Sequence, residues 1–425
     1  MARVTRRNAL LAGAGLALGA GIAARPGNSG GAYPEYFARL NRTLRRLEIE
    51  TPTLVVDLDR LDRNIERVKK SVAVPPAKTY RVVDKSLPSL ALVDYVSKTA
   101  GTNAFMSFHR PFLSALVDHR PDADVLLGKP MPVDAARHFY RDLRGGFQPA
   151  TQLRWLIDSH QRLLQYQALA RGLGLMMQLS LEIDVGLHRG GFSPDASFLA
   201  ALETLAKDPE HLRFSGFMGY DAQVAELPEF LAEREATAVR ERYASFVALV
   251  RQHHPTLLSG PITFNGAGSM TFRHYEGQST LNDVSAGSCL VKPTHFDLPT
   301  LEQFEPAAFI ATPVLKRLQH MRLPKLEWAT TLIESWDPNR AQTYFLYGGN
   351  WLAQFESPPG LTPIGPYTSS NQQGVSASCS VSINIDDFVF LRPTQSEAVL
   401  LQFGDLLVLR GETLVDRWPV LEKHV

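Results

Sequence analysis

The chain has 425 residues, of which 44% are hydrophobic, and its 44 Lys and Arg residues against 43 Asp and Glu give a formal net charge of +1 at pH 7. This length can bury one large hydrophobic core and a second, smaller one. The balanced charge gives no indication of a nucleic-acid or membrane-surface partner.

Residues 1–30 are predicted to be an export signal. Arg6 and Arg7 precede an apolar, Gly-rich stretch at 10–20 that is too short for a stable membrane span, and residues 23–24 offer small side chains for cleavage. Adjacent arginines before a mildly apolar core are typical of a twin-arginine signal. This predicts an exported or periplasmic protein with no stable membrane insertion once the signal is removed. A membrane anchor and a general secretory signal are the alternatives.

The stretch 51–92 predicts a strand–helix–strand–helix unit. Residues 53–57 form a short apolar, β-branched run, and apolar residues then recur at positions 58, 61, 65 and 68, the spacing of a helix. A second strand, 80–85, ends at Lys85. The carboxyl ends of barrel strands carry the chemistry of such folds, and a lysine there acts as a Schiff-base nucleophile when its surroundings free the amine. The alternative is an ordinary solvent-exposed lysine.

Strands and helices continue to alternate as far as about residue 300. Further strands are predicted at 103–108, 124–128, 153–158, 175–184, 213–219 and 261–266, and helices at 89–98, 133–143, 160–172, 195–206 and 228–254. Counted with 53–57 and 80–85, these are eight strands, which predicts a closed parallel (β/α)8 TIM barrel. An open doubly wound sheet is the alternative, but the Gly-rich loop that usually follows its first strand is absent.

The remaining chain is predicted to be mostly β. Strands are predicted at 307–315, 328–334, 343–346, 376–385, 388–391, 399–403 and 406–409, with turn residues between them. We therefore expect a barrel over residues 51–300 and a β domain over residues 301–425. The amphipathic stretch 33–50 is expected to pack on the β domain.

From residue 51 onward the chain resembles the D-threonine aldolase and D-serine dehydratase-like family, which is related to alanine racemase. The resemblance rests first on TPTLVVDLDRLDRNI at 51–65 and on the strand that ends at Lys85. It implies an alanine racemase-type barrel that binds pyridoxal 5'-phosphate through a Schiff base with Lys85. The competing lysine is Lys78, but it lies 21 positions after Asp57 in a Pro-rich loop, whereas Lys85 lies 28 positions after it. That longer spacing leaves room for a helix and both loops.

Two further segments resemble the family, and they imply which residues contact the ring of the cofactor. The segment Asp184-Val-Gly-Leu-His-Arg-Gly-Gly191 follows a strand and contains three glycines, and the segment Gly216-Phe-Met-Gly-Tyr220-Asp-Ala-Gln223 lies at the end of a later strand. The resemblance implies that Arg189 bonds the phenolic oxygen of the cofactor and that Tyr220 faces its pyridine ring. The alternatives are that Arg189 pairs with Asp184 to hold the loop, and that Tyr220 packs at the mouth of the barrel.

Two pairs of small residues are the candidates for binding the cofactor's phosphate. Gly268 and Ser269 follow a strand, and Gly287 and Ser288 come soon afterwards. Small residues let backbone N–H groups converge on a phosphate, and barrels often bind phosphate with their last loops. Alanine racemases carry an arginine that faces the pyridine nitrogen two residues before the corresponding glycine. Ser285 occupies that position here, which implies different electronics from racemization.

The resemblance breaks at the segments that bind a divalent ion in metal-dependent members. Their EEHG-type segment corresponds to a stretch containing Gln372, and their H-x-C or H-x-D pair corresponds to Gln395 and Glu397. An amide is a poor ligand for zinc, so we predict no tight metal site. These three residues are instead candidates for recognising a substrate carboxylate or hydroxyl.

The resemblance implies a pyridoxal-phosphate-dependent D-amino-acid lyase, of the D-serine dehydratase or D-threonine aldolase type, that forms a homodimer. An amino-acid racemase of the same fold is the alternative, and its second base would be a tyrosine of the β domain, for which Tyr344, Tyr347 and Tyr367 are available. A non-catalytic protein that binds the cofactor or an amino acid is a further alternative. The Schiff-base lysine argues against it, because a binding module needs none.

Overall fold

A computed structural model describes residues 25–321, 325 and 327–422 of the chain. Most of the predicted export signal, residues 1–24, lies outside the described residues. The described chain divides into two compact units. The first comprises residues up to Thr53 together with Phe309–Arg392, and the second comprises Leu54–Ala308 and the chain from Pro393 onward.

The second unit is built around eight parallel strands that close into a barrel, β2 to β9 in chain order. Its strands, counted from β1, are β1 (Thr53–Asp57), β2 (Thr79–Val83), β3 (Ala104–Ser107), β4 (Asp124–Leu127), β5 (Leu153–Ile157), β6 (Met177–Glu182), β7 (Leu212–Gly219), β8 (Thr263–Gly266) and β9 (Asp283–Ala286). The ring closes where β2 pairs with β9, in a register that sets Thr79 opposite Asp283. This confirms the predicted closed (β/α)8 barrel.

Helices connect the barrel strands and cover their outer face. Helix α1 (Glu35–Arg46) belongs to the first unit. The helices of the second unit up to β9 and just after it are, in chain order, α2 (Leu58–Val72), α3 (Leu90–Ala100), α4 (Arg110–His119), α5 (Val133–Asp142), α6 (Pro149–Gln152), α7 (His160–Leu173), α8 (Ala196–Lys207), α9 (Glu229–His253) and α10 (Ser288–Val291). Their apolar sides are buried: in α2, for example, Leu61, Ile65 and Val68 have no exposed surface. None of the described helices is both long enough and apolar enough to cross a membrane.

The predicted set of eight barrel strands was wrong at its two ends. β1 is not part of the barrel, and β9, which was predicted as a loop, completes it. β9 has the sequence Asp-Val-Ser-Ala, and the side chains of Asp283 and Ser285 form hydrogen bonds with other barrel side chains. Because these inward positions are polar, the strand lacks the apolar run by which a buried strand is predicted.

β1 pairs instead with the end of the chain. It is parallel to β16 (Leu406–Arg410), with Leu54 opposite Leu406, and β16 is antiparallel to β17 (Thr413–Trp418). This pairing explains why the described residues from Pro393 onward lie in the unit that contains the barrel, although the sequence assigned them to the β domain.

The first unit contains the mostly β domain predicted from the sequence. Its strands are β10 (Ala308–Leu318), β11 (Gln342–Tyr347), β12 (Ala353–Ser357), β13 (Thr362–Pro363), β14 (Gln372–Ala377) and β15 (Phe388–Pro393), and α11 (Glu327–Trp336) lies between β10 and β11. β11 pairs with β10 on one side and with β14 on the other, both antiparallel. Helix α1 is held here because Asn41 and Arg45 each donate a hydrogen bond to Asp387 at 3.0 Å.

Three strand predictions in the C-terminal part of the chain were wrong. Of the predicted strand 376–385, only residues 376–377 belong to a strand, β14, and residues 378–385 form turns and irregular chain before β15. Residues 328–334 lie within α11, and residues 399–403 form the end of α12 (Ser396–Val399) and a 3-10 turn, Leu400–Gln402. Thr and Ile favoured a strand in α11, but its more buried side chains, at Thr330, Ile333 and Glu334, recur every three or four residues. That is the period of a helix.

Candidate functional site

A cavity of about 500 Å³ lies at the carboxyl ends of the barrel strands. Residues at the ends of all eight strands line it, among them Lys85 after β2, Phe108 after β3, Glu182 at the end of β6, Tyr220 after β7 and Ser285 on β9. All of the lining residues belong to the second unit. Active sites of (β/α)8 barrels form at this end, and the size and mixed lining of the cavity are typical of a small-molecule site.

Lys85 projects into this cavity from the turn that ends β2. Its Nζ lies 3.2 Å from Oε2 of Glu397 and 4.4 Å from the centroid of the Phe108 ring. The competing lysine, Lys78, lies just before β2, at the opposite end of the barrel, and its Nζ donates a hydrogen bond to the Pro76 carbonyl at 3.0 Å. Of the two candidate lysines, therefore, Lys85 is the one that lines the cavity.

Asp84, the neighbour of Lys85, is a buried carboxyl outside the cavity lining. Its side chain is enclosed, and neither of its oxygens forms a hydrogen bond of good geometry with another described residue. Burial raises the pKa of Asp84 to about 7, although the nearby Ser107 hydroxyl and the backbone N–H of Lys85 act in the opposite direction. Asp84 therefore holds a proton more strongly than an ordinary aspartate does.

The loop after β6 carries Arg189 into the cavity wall. Asp184 closes this loop by accepting hydrogen bonds from the backbone N–H of Gly186 at 2.9 Å and from Nδ1 of His188 at 2.7 Å. The carboxylate of Asp184 thus bonds His188, and the guanidinium of Arg189 lies 5.1 Å from the centroid of the Tyr220 ring. This geometry keeps Arg189 available to an anionic group in the cavity.

Tyr220 and Gly268 are in close contact at the far side of the cavity. A methyl group on Gly268 would lie 2.6 Å from a carbon of the Tyr220 ring, so only glycine fits there. Burial raises the pKa of the Tyr220 hydroxyl, and Asp221 adds to this effect. The phenol therefore stays neutral and presents its ring to the cavity.

Serine hydroxyls and the backbone of Gly287 form a cluster in the cavity wall next to Lys85. The Ser288 hydroxyl lies 3.0 Å from the Ser86 hydroxyl and 3.1 Å from the Ser396 hydroxyl. The backbone N–H of Gly287 donates to the Ser269 hydroxyl at 3.0 Å. Such a concentration of donors at the end of the last barrel strands is suited to a phosphate group.

A second set of polar side chains lies on β8 and β9 and extends from the cavity into the barrel interior. Asn265 donates to Ser285 at 2.9 Å and to Asp283 at 2.6 Å, and its own buried amide oxygen has no hydrogen-bond partner among the described residues. Below it, Asp283 accepts a hydrogen bond from Arg81 at 2.9 Å, and Arg81 also pairs with Asp124. The neutral Ser285 therefore lies above a buried network of charges.

The residues predicted to recognise a substrate are divided between the two units. Gln395 and Glu397 line the cavity, on either side of Ser396. Gln372 belongs to the first unit, on β14, where its side chain accepts a hydrogen bond from Lys316 at 2.6 Å. In the described ranges, no three His, Cys, Asp or Glu side chains come together in a way that could hold a metal ion.

Several residues of the cavity were not identified from the sequence. They are Ser86, Phe108, Glu182, Asn265 and Ser396. Ser86 and Phe108 each lie within three residues of a strand end. Taking the first residues after each predicted strand would have found them, because every barrel strand contributes to the mouth. Ser396 lies between the predicted substrate residues Gln395 and Glu397, and this position was the available signal.

Residues 56–294 match the family described as the alanine racemase N-terminal domain. Over 251 residues the chain is 26% identical to the D-threonine aldolase of Arthrobacter sp., and this match covers 56% of the chain and 60% of the aldolase. The chain therefore spans less than two thirds of the length of this relative.

The fold is similar to those of solved structures over most of both chains. With D-threonine aldolase from Filomicrobium marinum the TM-score is 0.69 at 17% identity, covering 88% of this chain and 95% of that one. With D-threo-3-hydroxyaspartate dehydratase from Delftia sp. HT23 it is 0.68 at 18% identity, covering 89% and 99%. At these identities the likeness shows a shared fold alone.

Proposed function

Because the chain belongs to the alanine racemase N-terminal domain family, we propose that it is a pyridoxal-phosphate-dependent lyase acting on β-hydroxy-D-amino acids. The observation that carries this proposal is the position of the Lys85 amine, which lies in a cavity at the catalytic end of the barrel, close to a cluster of serine hydroxyls. The curated relative and the two solved structures named above are two aldolases and one dehydratase of D-amino acids, which favours a lyase over a racemase.

The residues of the cavity fit this cofactor. Lys85 supplies the amine for covalent attachment, and Ser269, Ser288 and the backbone of Gly287 offer donors for its phosphate. The buried Oδ1 of Asn265, which has no hydrogen-bond partner in the part of the chain that the structure describes, is an acceptor in the wall of the cavity. The cavity volume, about 500 Å³, also suits a ligand of this size together with a small amino acid.

When bound, pyridoxal phosphate supplies an electron sink that stabilises negative charge at the substrate's Cα. The residues of this chain provide the remaining functions. Lys85 would hold the cofactor and would take or give the proton at Cα. Arg189 would bind the phenolic oxygen, and Tyr220 would pack against the ring. The neutral Ser285 would face the ring nitrogen in place of a cation.

A panel of substrates tests the proposed reaction. Purified protein loaded with the cofactor is incubated with D-serine, D-threonine and D-threo-3-hydroxyaspartate, with their L-enantiomers, and with D- and L-alanine. We expect an aldehyde with glycine, or a keto acid with ammonia, from D-enantiomers that carry a β-hydroxyl, and no turnover by Lys85→Ala. Racemization of alanine alone would favour the racemase, and cofactor uptake without any turnover would favour the binding protein.

The racemase alternative requires a second base, and the three candidate tyrosines for it belong to the first unit. The hydroxyl of Tyr344 is buried and donates to Gln342 at 2.8 Å. Tyr347 is 41% exposed, and Tyr367 packs its ring against Phe345. A single Tyr→Phe variant that abolishes racemization in both directions, but still exchanges the α-proton of one alanine enantiomer with solvent, would identify such a base.

We also propose export by the twin-arginine route and assembly as a homodimer. Asn339 bonds the backbone of Gly27 and Ser29, so cleavage before residue 25 would leave these contacts of the first unit in place. Replacing Arg6 and Arg7 by lysine should retain the protein in the cytoplasm, and unchanged export would refute this route. Sedimentation equilibrium on the processed protein tests the dimer, and a monomer mass would refute it.

A further inference from the structure

Glu397 is the carboxylate in direct contact with the amine of Lys85. Its Oε2 lies 3.2 Å from Nζ, and the side chains of Lys85 and Glu397 are 31% and 49% exposed. The two groups are therefore close enough to exchange a proton directly, while Glu397 remains open to a ligand in the cavity. Hydrogen-bond contact of this kind is what proton transfer requires.

The position of Glu397 is fixed by its neighbours in the chain. Glu397 is the second residue of α12, and the preceding residue, Ser396, contacts the Ser288 hydroxyl at 3.1 Å. Because Ser396 joins the hydroxyl cluster, Glu397 is directed toward Lys85. A ligand attached to Lys85 and bound at the hydroxyl cluster would thus lie beside the carboxylate.

The other carboxylates near the cavity have different surroundings. Burial raises the pKa of Glu182, and the positive charge of Arg189 acts in the opposite direction. Asp158, which also lines the cavity, pairs with Arg162 at 3.8 Å. Asp84 is buried outside the cavity lining. Glu397 alone among these four has a contact with the Lys85 amine in the described part of the chain.

We propose that Glu397 is the acid–base residue that exchanges a proton with the β-oxygen of the substrate, without the help of a metal ion. This inference rests on the proposed lyase function and assigns its second proton-transfer group. The carboxyl group of Glu397 performs, by proton transfer, what a Lewis acid would perform by coordination.

The proton balance closes in both lyase reactions. In β-elimination, Lys85 takes the Cα proton, the C–H electron pair forms the Cα–Cβ double bond, and the C–O pair leaves with an oxygen that Glu397 protonates to water. In aldol cleavage, Glu397 takes the β-hydroxyl proton, the Cα–Cβ bond breaks toward Cα, and Lys85 then protonates Cα. In each case one proton must return between Lys85 and Glu397, and their 3.2 Å contact provides the route.

The decisive experiment separates chemistry at Cβ from chemistry at Cα in the cofactor-loaded protein. Turnover of the best β-hydroxy-D-amino acid is measured beside exchange of the α-proton of glycine and D-alanine with deuterated solvent, followed by NMR. We expect Glu397→Gln to lower kcat for the β-hydroxy substrate by about 10²- to 10⁴-fold, the usual contribution of a positioned acid–base group. The same variant should lose much less of its α-proton exchange than of its turnover, because exchange uses Lys85 while only turnover needs a proton transfer at the β-oxygen.

Two further variants control for charge and geometry. Glu241 is an exposed residue of α9, so Glu241→Gln removes one carboxylate away from the cavity and serves as the matched control. It should change neither the turnover of the β-hydroxy substrate nor the rate of α-proton exchange. Glu397→Asp keeps the carboxyl group and should recover part of the lost turnover. Native kcat for the β-hydroxy substrate in Glu397→Gln would overturn the proposal, and so would an equal loss of turnover and of α-proton exchange.

Divalent metal gives an independent arm of the test. We expect the native protein to keep its turnover after exhaustive treatment with a chelator and to gain nothing from added Mn²⁺ or Zn²⁺. Activity that disappears with the chelator and returns with the metal would overturn the metal-free role of Glu397 but leave the lyase standing. If α-proton exchange occurs but no β-hydroxy substrate is turned over, the proposed function fails instead.

Discussion

The backbone of Gly287 passes close to Ser86, so that a methyl group on Gly287 would lie 2.8 Å from the Ser86 Cβ and 3.0 Å from the Cβ of Val83. The glycine lets the end of β9 approach the end of β2 at the point where the ring of strands closes. The hydroxyls of Ser86 and Ser288 meet there as a consequence.

Gly287→Ala should therefore damage both stability and cofactor binding. Overpacking of this kind lowers the free energy of unfolding by about 1–3 kcal/mol. If the strain is present when the cofactor is bound, the affinity for the cofactor falls about tenfold or more. Equilibrium dialysis of the cofactor and urea unfolding measure the two effects. Gly260→Ala is the matched control, because a methyl group there meets no heavy atom within 4 Å. Equal affinities in both variants would contradict the tight approach at Gly287.

Asp84 is expected to make the cofactor-free protein less stable as the pH rises. Its pKa is raised to about 7 from an ordinary value of 3.8, so the folded protein keeps a proton that the unfolded chain has released between about pH 4 and pH 7. The free energy of unfolding should therefore fall across this window, by up to about 4 kcal/mol.

Asp84→Asn, which is neutral at every pH, should remove this fall. The variant should match the native protein near pH 4 and exceed it in stability near pH 8, as measured by urea unfolding at each pH. Asp405→Asn changes an exposed aspartate of the same unit and should leave the native pH profile unchanged. A native–variant difference that is the same at both pH values would show that folding does not raise the pKa of Asp84.

Arg81 is expected to be essential for the stability of the barrel. Its guanidinium is 2% exposed and pairs with Asp283 and Asp124, and removal of one partner from a buried ion pair costs about 3–5 kcal/mol. Arg81→Met should lower the free energy of unfolding by this amount, and adding Asp283→Asn should recover part of it. Arg213→Met, on the exposed side of β7, is the control. A change below about 1 kcal/mol in Arg81→Met would mean that the network contributes little.

The parts of the fold that could be predicted are those in which apolar periodicity and tertiary structure agree. Residues 53–57 and the helix after them carry apolar side chains at most of their buried positions, and both were located correctly. β9 was missed because Asp283 and Ser285 point into a polar barrel interior. The exclusion of β1 from the barrel could not be predicted either, because its pairing with β16 joins residues about 350 positions apart, beyond the reach of local patterns.

The candidate site was predictable where function demands an unusual residue in a recognisable segment. Lys85, Arg189, Gly268 and Gly287 were all identified from the sequence, and all line one cavity. The resemblance made Glu397 a candidate for recognising the substrate, but its direct contact with Lys85 was not predicted, because no local pattern relates residue 397 to the end of β2. It follows from the return of the chain to the barrel unit after Pro393.

The central claim is that Lys85 holds the cofactor, and the most direct test is to trap the bond chemically. Purified protein incubated with pyridoxal phosphate is reduced with borohydride, digested and mapped by mass spectrometry, beside Lys85→Ala and Lys78→Ala. We expect the reduced pyridoxyl group on Lys85 in the native protein and in Lys78→Ala, and no stable label in Lys85→Ala. A pyridoxyl group on Lys78, or the absence of any specific label, would contradict the account.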